Sequence, residues 1–136
     1  VPGAYPGRVV AERIFDVACT MPQIRITTTA QLDEDRKLAL LKSVSKTVSH
    51  ITGKREALIM VFVDDACGIM GGSPDPAVFI DVRAVSGLHD DVNEALSSAL
   101  CDVILEHAGV PPQRTFLNFT NVRGYNWGWK SKTFRK

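Results

Sequence analysis

Polar and apolar residues alternate along Gln23-Ile24-Arg25-Ile26-Thr27-Thr28, a β-branched run that predicts a strand with one buried face. The periodicity then changes. From Asp33 to Ile51, the residues Leu38, Leu41, Val44, Val48 and Ile51 recur at intervals of three and four, which predicts an amphipathic helix. Asp33, Glu34 and Asp35 suit its start, where free backbone N–H groups carry partial positive charge, and Gly53 suits its end. The next run, Ala57 to Val63, is apolar at every position. It predicts a strand covered on both faces, as in a parallel βαβ unit.

The same order repeats. A Gly71-Gly72-Ser73-Pro74-Asp75-Pro76 turn leads into a predicted strand from Val78 to Val85. A second helix is expected from Asp91 to His107, with Val92, Leu96, Ala99, Leu100 and Val103 facing inward, stopped by Gly109, Pro111 and Pro112. Thr115 to Thr120 supplies the closing strand. The fold class is therefore α+β: two βαβ units forming a four-stranded mixed sheet with two helices on one face. Two helices cover only one face of such a sheet, yet the second strand is apolar on both. Its other face is expected to be buried by further chains, most simply copies of itself. Upstream of Met21, Pro2, Gly3, Pro6 and Gly7 mark a loop-like start, and Val10, Ile14 and Val17 are placed to form one face of a short helix.

Composition narrows the function classes. A chain of 136 residues, 45 % hydrophobic and 23 % charged, is one domain's worth of ordinary globular sequence. A net charge of +1 gives no reason to expect nucleic acid or a membrane surface as partner. Arg8, Glu12, Arg13 and Asp16 interrupt any apolar core of a secretory signal, and no apolar run reaches membrane-spanning length. Cys19, Cys67 and Cys101 are widely spaced and form no CxxC, which suits reduced thiols in the cytoplasm. His50 and His107 fall near predicted helix ends, where a cation is favoured, so no metal site is expected. Gly71-Gly72 lacks a following GK[ST] and reads as a turn, not a phosphate cradle.

Several short motifs, in order, carry a resemblance. They are Met21-Pro22 leading directly into a strand, Thr52-Gly53-Lys54 closing the first helix, and Gly71-Gly72-Ser73 with Pro76. Val110-Pro111 with Arg114, Asn118, Trp127-Gly128-Trp129 and Thr133-Phe134 complete the set. With these motifs residues 21–134 resemble the macrophage migration inhibitory factor family of the tautomerase superfamily. The resemblance implies a homotrimer and a cofactor-independent enzyme whose general base is an amino-terminal proline, here Pro22. It further implies that Lys54 holds a substrate carboxylate or steadies enolate charge, and that backbone at Val85 contacts substrate. Phe116 and Asn118 would come from the neighbouring subunit, and Trp129 would form the pocket rim. The implied substrate is a small α-keto acid or its enol, of the phenylpyruvate or dopachrome type. A decarboxylase or dehalogenase activity would use the same proline.

Taken singly, each of these residues has a structural reading. A proline often opens a strand, a lysine after a helix-ending glycine is commonly solvated, and Phe116, Asn118 and the tryptophans suit packing. Two departures from the family pattern also matter. Many relatives carry tyrosine where this chain has Phe116, and Ala77 and Ile80 stand where thiol–disulfide oxidoreductase relatives carry a CxxC.

The extension is the chief constraint. With Met21 attached, the Pro22 nitrogen is a tertiary amide whose lone pair is delocalised into a carbonyl, and it is no base near neutral pH. Residues 1–20 are accordingly expected to lie upstream of a true start at Met21, or to be removed by proteolysis. A retained extension favours the alternative function, a cytokine-like protein that binds receptors or intracellular partners and is secreted without a signal peptide. A ferredoxin-like ligand-binding module, related in topology alone, is a third class.

Overall fold

A computed structural model describes residues 21–135. The expected helical face of Val10, Ile14 and Val17, and the rest of the extension, lie outside the described residues. The elements run β1 (Gln23–Thr28), α1 (Glu34–Thr52), β2 (Met60–Asp65), β3 (Val78–Ala84), α2 (Asp90–Ala108) and β4 (Thr115–Asn121). A short hairpin of β5 (Gly128–Trp129) and β6 (Lys132–Thr133) follows. The main sheet has the order β2-β1-β3-β4. Its β1–β2 and β3–β4 pairs are parallel, and β1 and β3 meet antiparallel. Two βαβ units thus join back to back through β1 and β3, with both helices on one side.

Helix α1 begins where Asp33 caps it, its carboxylate accepting from the Arg36 N–H at 2.8 Å. It ends at Gly53, whose φ of 76° places it in the left-handed region and whose N–H donates to Ser49 O at 2.8 Å. The buried side chains of α1 are Leu40, Val44 and Val48. Leu38, expected inside, is 52 % exposed, because the i, i+4, i+8 stripe through Leu40 faces the sheet and Leu38 turns towards the β2 edge. Helix α2 buries Leu96, Leu100, Val103, Ile104 and Ala108. The fully buried Ile104 was not in the expected face, while Val92 and Ala99 are only half-buried. These side chains close on Ile24, Ile26, Ile80 and Val82 of the two central strands, all fully buried.

The strand expected over 57–63 starts later. Glu56–Leu58 form a single 3-10 turn in which the Leu58 and Ile59 N–H groups donate to Arg55 and Glu56 carbonyls, each at 3.0 Å. Those donors are unavailable to a sheet. The strand is also not covered on both faces within the chain: β2 is an edge strand, with Val61 and Val63 packed inward and Met60 and Phe62 exposed on the open face.

The Gly71–Pro76 turn is organised from a distance by Arg114. Its guanidinium donates to the carbonyls of Pro76 and Asp75 at 2.9 and 2.8 Å and to those of Ser73 and Met70 at 3.2 and 3.3 Å. The cation is satisfied by oriented backbone dipoles, which ties the turn between the two βαβ units to the start of β4. Among the described residues, no helix is long and apolar enough to cross a membrane.

The hairpin was not anticipated, and Gly124 explains how it docks. A Cβ at Gly124 would stand 2.2 Å from the Phe134 carbonyl oxygen, a backbone atom that cannot swing aside. The Phe134 N–H in turn donates to Trp127 O at 3.1 Å. Gly124→Ala is expected to force the two segments apart at a cost of about 1–3 kcal/mol, the usual range for overpacking. Urea unfolding and amide exchange check this: a lower midpoint and faster exchange at Phe134 are expected, and unchanged values would contradict the contact.

Candidate functional site

Parallel pairing of β1 with β2, and antiparallel pairing with β3, brings the start of β1, the start of β2 and the end of β3 to one edge of the sheet. Gln23 sits opposite Met60 on one side and Arg83 on the other. Pro22 precedes Gln23 at this edge, and its carbonyl accepts from the Met60 N–H at 3.1 Å. The end of α1 arrives at the same edge because α1 must return the chain to the start of β2.

A cavity of about 360 Å³ opens there, lined by Pro22, Thr52, Lys54, Ala84, Ser86, Gly87, Leu88, His89 and Val92. Five segments contribute: the residue before β1, the end of α1, the end of β3, the connection from β3 to α2, and the first turn of α2. Lys54 reaches the cavity through a locally fixed turn. Gly53 reverses the chain in the left-handed region, the Lys54 N–H donates to Thr52 Oγ1 at 3.3 Å, and Ser49 Oγ donates to the Lys54 carbonyl. Thr52 Oγ1 also donates to Val48 O at 2.7 Å. Among the described residues Lys54 takes part in no ion pair. The lining thus sets apolar Pro22, Ala84, Leu88 and Val92 beside one cation, two hydroxyls and an imidazole. That arrangement suits a small, partly apolar carboxylate.

The expected site residues fall into two groups. Pro22 and Lys54 line the same cavity. Val85 is 3 % exposed and does not line it; its neighbours Ala84 and Ser86 do. Phe116, Asn118 and Trp129 lie elsewhere on this chain. Phe116 is 60 % exposed on the open face of the sheet and lines a separate hollow with Thr27, Met70 and Phe79. The Asn118 carboxamide donates to Asp81 Oδ1 at 2.9 Å and Thr120 Oγ1 at 2.8 Å. Trp129 stands in β5, with the Lys130 ammonium 4.7 Å from its ring centre. On the same open face, Arg25 pairs with Asp64 and lies 4.7 Å over the Phe62 ring.

Thr52, Ser86 and His89 are cavity residues that the sequence reading passed over as site residues. The Ser86-Gly87 pair directly after a strand was an available turn signal, and His89 precedes an acidic helix start. The Lys37 ammonium is held above its usual range by its hydrogen bond to Asp65, and burial, with Asp102 nearby, pushes the Cys101 thiol up. Among the described residues, no three His, Cys, Asp or Glu side chains are grouped to hold a metal ion.

Back-to-back βαβ units with a cavity at the residue before β1 are the arrangement that comparison with known proteins identifies. The sequence model of the macrophage migration inhibitory factor family matches residues 21–135. A macrophage migration inhibitory factor homolog of Trichuris trichiura is 29 % identical over 102 residues, covering 74 % of this chain and 90 % of that protein. Among solved structures, a macrophage migration inhibitory factor-like protein from Entamoeba histolytica superposes with a TM-score of 0.80 at 32 % identity, covering 84 % of this chain and 99 % of the other. The macrophage migration inhibitory factor of Toxoplasma gondii gives 0.79 at 30 % identity, covering 82 % and 99 %. The chain belongs to the macrophage migration inhibitory factor family of the tautomerase superfamily.

The turn that delivers Lys54 is directly testable. Open space surrounds the Cα of Gly53, so Gly53→Ala meets no clash and pays only for the left-handed backbone. A destabilisation of about 1–2 kcal/mol is expected by thermal unfolding. An unchanged melting temperature would show that the turn does not depend on this conformation.

Proposed function

We propose that the domain, in a form beginning at Pro22, is a cofactor-independent keto–enol tautomerase for small α-keto acids of the phenylpyruvate type. The observation that carries this is the placement of Pro22 and Lys54 around one small cavity with both apolar and polar walls. A prolyl secondary amine has a free lone pair once Met21 is removed. An unperturbed α-amino group titrates at about 7.7–8.0, and apolar surroundings with a nearby cation favour its neutral, basic form. The neutral amine takes a proton from the carbon next to the substrate carbonyl and returns it to the other end of the enol system. Lys54 binds the substrate carboxylate or holds the charge that develops on oxygen. Ser86 and His89 line the same space and bound the substrate on the α2 side.

A homotrimer belongs to this reading. Met60, Phe62, Phe79 and Phe116 are exposed on the open face of the sheet in the single chain, between the ion pairs Arg25–Asp64 and Arg83–Asp81. Assembly through that face would cover them and bring Phe116 and Asn118 towards a neighbouring cavity. A protein of the same fold, at 20 % identity and a TM-score of 0.77, is described as inactivated by 2-oxo-3-pentynoate. The chemistry of that compound suits the proposal: its alkyne, conjugated to a ketone, is open to attack by a neutral amine.

The test compares the chain beginning at Pro22 with the same chain retaining Met21, using the absorbance of enolic phenylpyruvate. The trimmed form is expected to exceed the blocked form by about 10²-fold or more, the usual contribution of a positioned base. Lys54→Ala in the trimmed form is expected to raise KM for the carboxylate substrate. Treatment with 2-oxo-3-pentynoate should add one equivalent of mass to the peptide starting at Pro22. Equal activity in the trimmed and blocked forms, or labelling at another residue, would overturn the assignment of Pro22 as base.

A further inference from the structure

Ser86 is one of three residues other than glycine with positive φ among the described residues, at 66°, and Gly87 follows at 90°. The left-handed region is disfavoured for serine because its Cβ crowds the following carbonyl oxygen, so the conformation persists only where the surroundings over-determine it. Here β4 does so from both sides of the turn. Before it, the Val122 N–H donates to Ala84 O at 2.8 Å. After it, the Asn121 carboxamide takes both backbone groups of Leu88: Oδ1 accepts from the Leu88 N–H at 3.1 Å, and Nδ2 donates to the Leu88 carbonyl at 3.0 Å. The side chain substitutes for a strand partner, and Leu88 itself is anchored in the core at 6 % exposure. The segment strung between these anchors is part of the cavity wall, since Ala84, Ser86, Gly87 and Leu88 all line it together with Pro22 and Lys54.

We propose that Asn121 is a positioning residue for the cavity: by gripping both backbone groups of Leu88 it holds Ser86 and Gly87 in their left-handed turn and so fixes the wall against which substrate is placed. The proposal rests on the tautomerase reading of the same cavity. Asn121 does not line the cavity, so it acts through the wall and not on the reacting atoms. The residue type is specific. Alanine offers neither bond, and aspartate keeps the acceptor for the Leu88 N–H but sets a second oxygen against the Leu88 carbonyl. Small displacements of a positioning wall are costly because reaction demands close alignment of substrate with its base.

The experiment uses the chain beginning at Pro22 and compares Asn121→Ala and Asn121→Asp with the unsubstituted protein. Phenylpyruvate kinetics, amide exchange resolved by residue, and the unfolding midpoint are measured together. In Asn121→Ala, kcat/KM is expected to fall about tenfold or more, the scale of two lost neutral hydrogen bonds. Exchange at Leu88 and its neighbours in the turn should accelerate, while Leu96 to Ile104 of α2 keep their protection. Asn121→Asp should fall between the two. Retention of kcat/KM within about twofold would overturn the proposal. So would a loss of activity accompanied by uniformly faster exchange, which is general destabilisation. If the unsubstituted protein is itself inactive, the tautomerase reading fails separately. Exchange at Leu88 then decides the role of Asn121 in the wall: faster in Asn121→Ala supports it, and unchanged overturns it.

Discussion

The central placement of β1 is the constraint on which the cavity depends. Ile24 and Ile26 are fully buried beneath the helices, and β1 is hydrogen-bonded on both sides, to β2 and to β3. A strand held that way cannot slip by one residue without turning both isoleucines to the open face. Its register therefore determines where Pro22 emerges. Parallel pairing puts that point beside Met60, and antiparallel pairing puts it beside the end of β3. The helix before β2 must finish nearby, which delivers Lys54. The cavity is a consequence of topology, assembled from segment ends that a well-packed core forces together.

The second level is local and polar. Ser49 and Thr52 fix the backbone around Lys54, Arg114 gathers three carbonyls of the Gly71–Pro76 turn and that of Met70 before it, and Asn121 holds Leu88. None of these side chains belongs to the apolar core, and each satisfies backbone groups that no helix or strand takes up. At buried Leu88 such a partner is required, because an unpaired backbone donor or acceptor away from water costs as much as a lost hydrogen bond.

These two levels differ in how far the sequence reveals them. The alternation over 23–28 and the helical stripe through Val44 and Val48 report burial directly, so the order of strands and helices was readable from periodicity. Where side-chain pattern and backbone hydrogen bonding compete, periodicity misleads. Ala57 and Leu58 have strand-like character, yet a 3-10 turn takes them. Leu38 fits the stripe in spacing but sits beyond its edge. The two cavity residues inferred from family motifs, Pro22 and Lys54, come together because they flank regular elements. Ser86 and His89 were illegible as site residues because their position depends on a left-handed turn held by Asn121, a residue 33 positions from Leu88. No local pattern encodes such a contact. The roles that the resemblance implies for Phe116 and Asn118 depend on more than one chain.

The proposed function requires that this cavity make the prolyl amine a base once it is freed. Its most direct measurement is the titration of the Pro22 nitrogen by NMR in a chain beginning at that residue. Apolar walls and the Lys54 ammonium both disfavour the protonated amine, so the nitrogen is expected to titrate below the ordinary α-amino value of about 7.7–8.0. It is also expected to move back towards that value in Lys54→Ala. A Pro22 amine that titrates at or above the ordinary value, and does not respond to loss of Lys54, would contradict the claim.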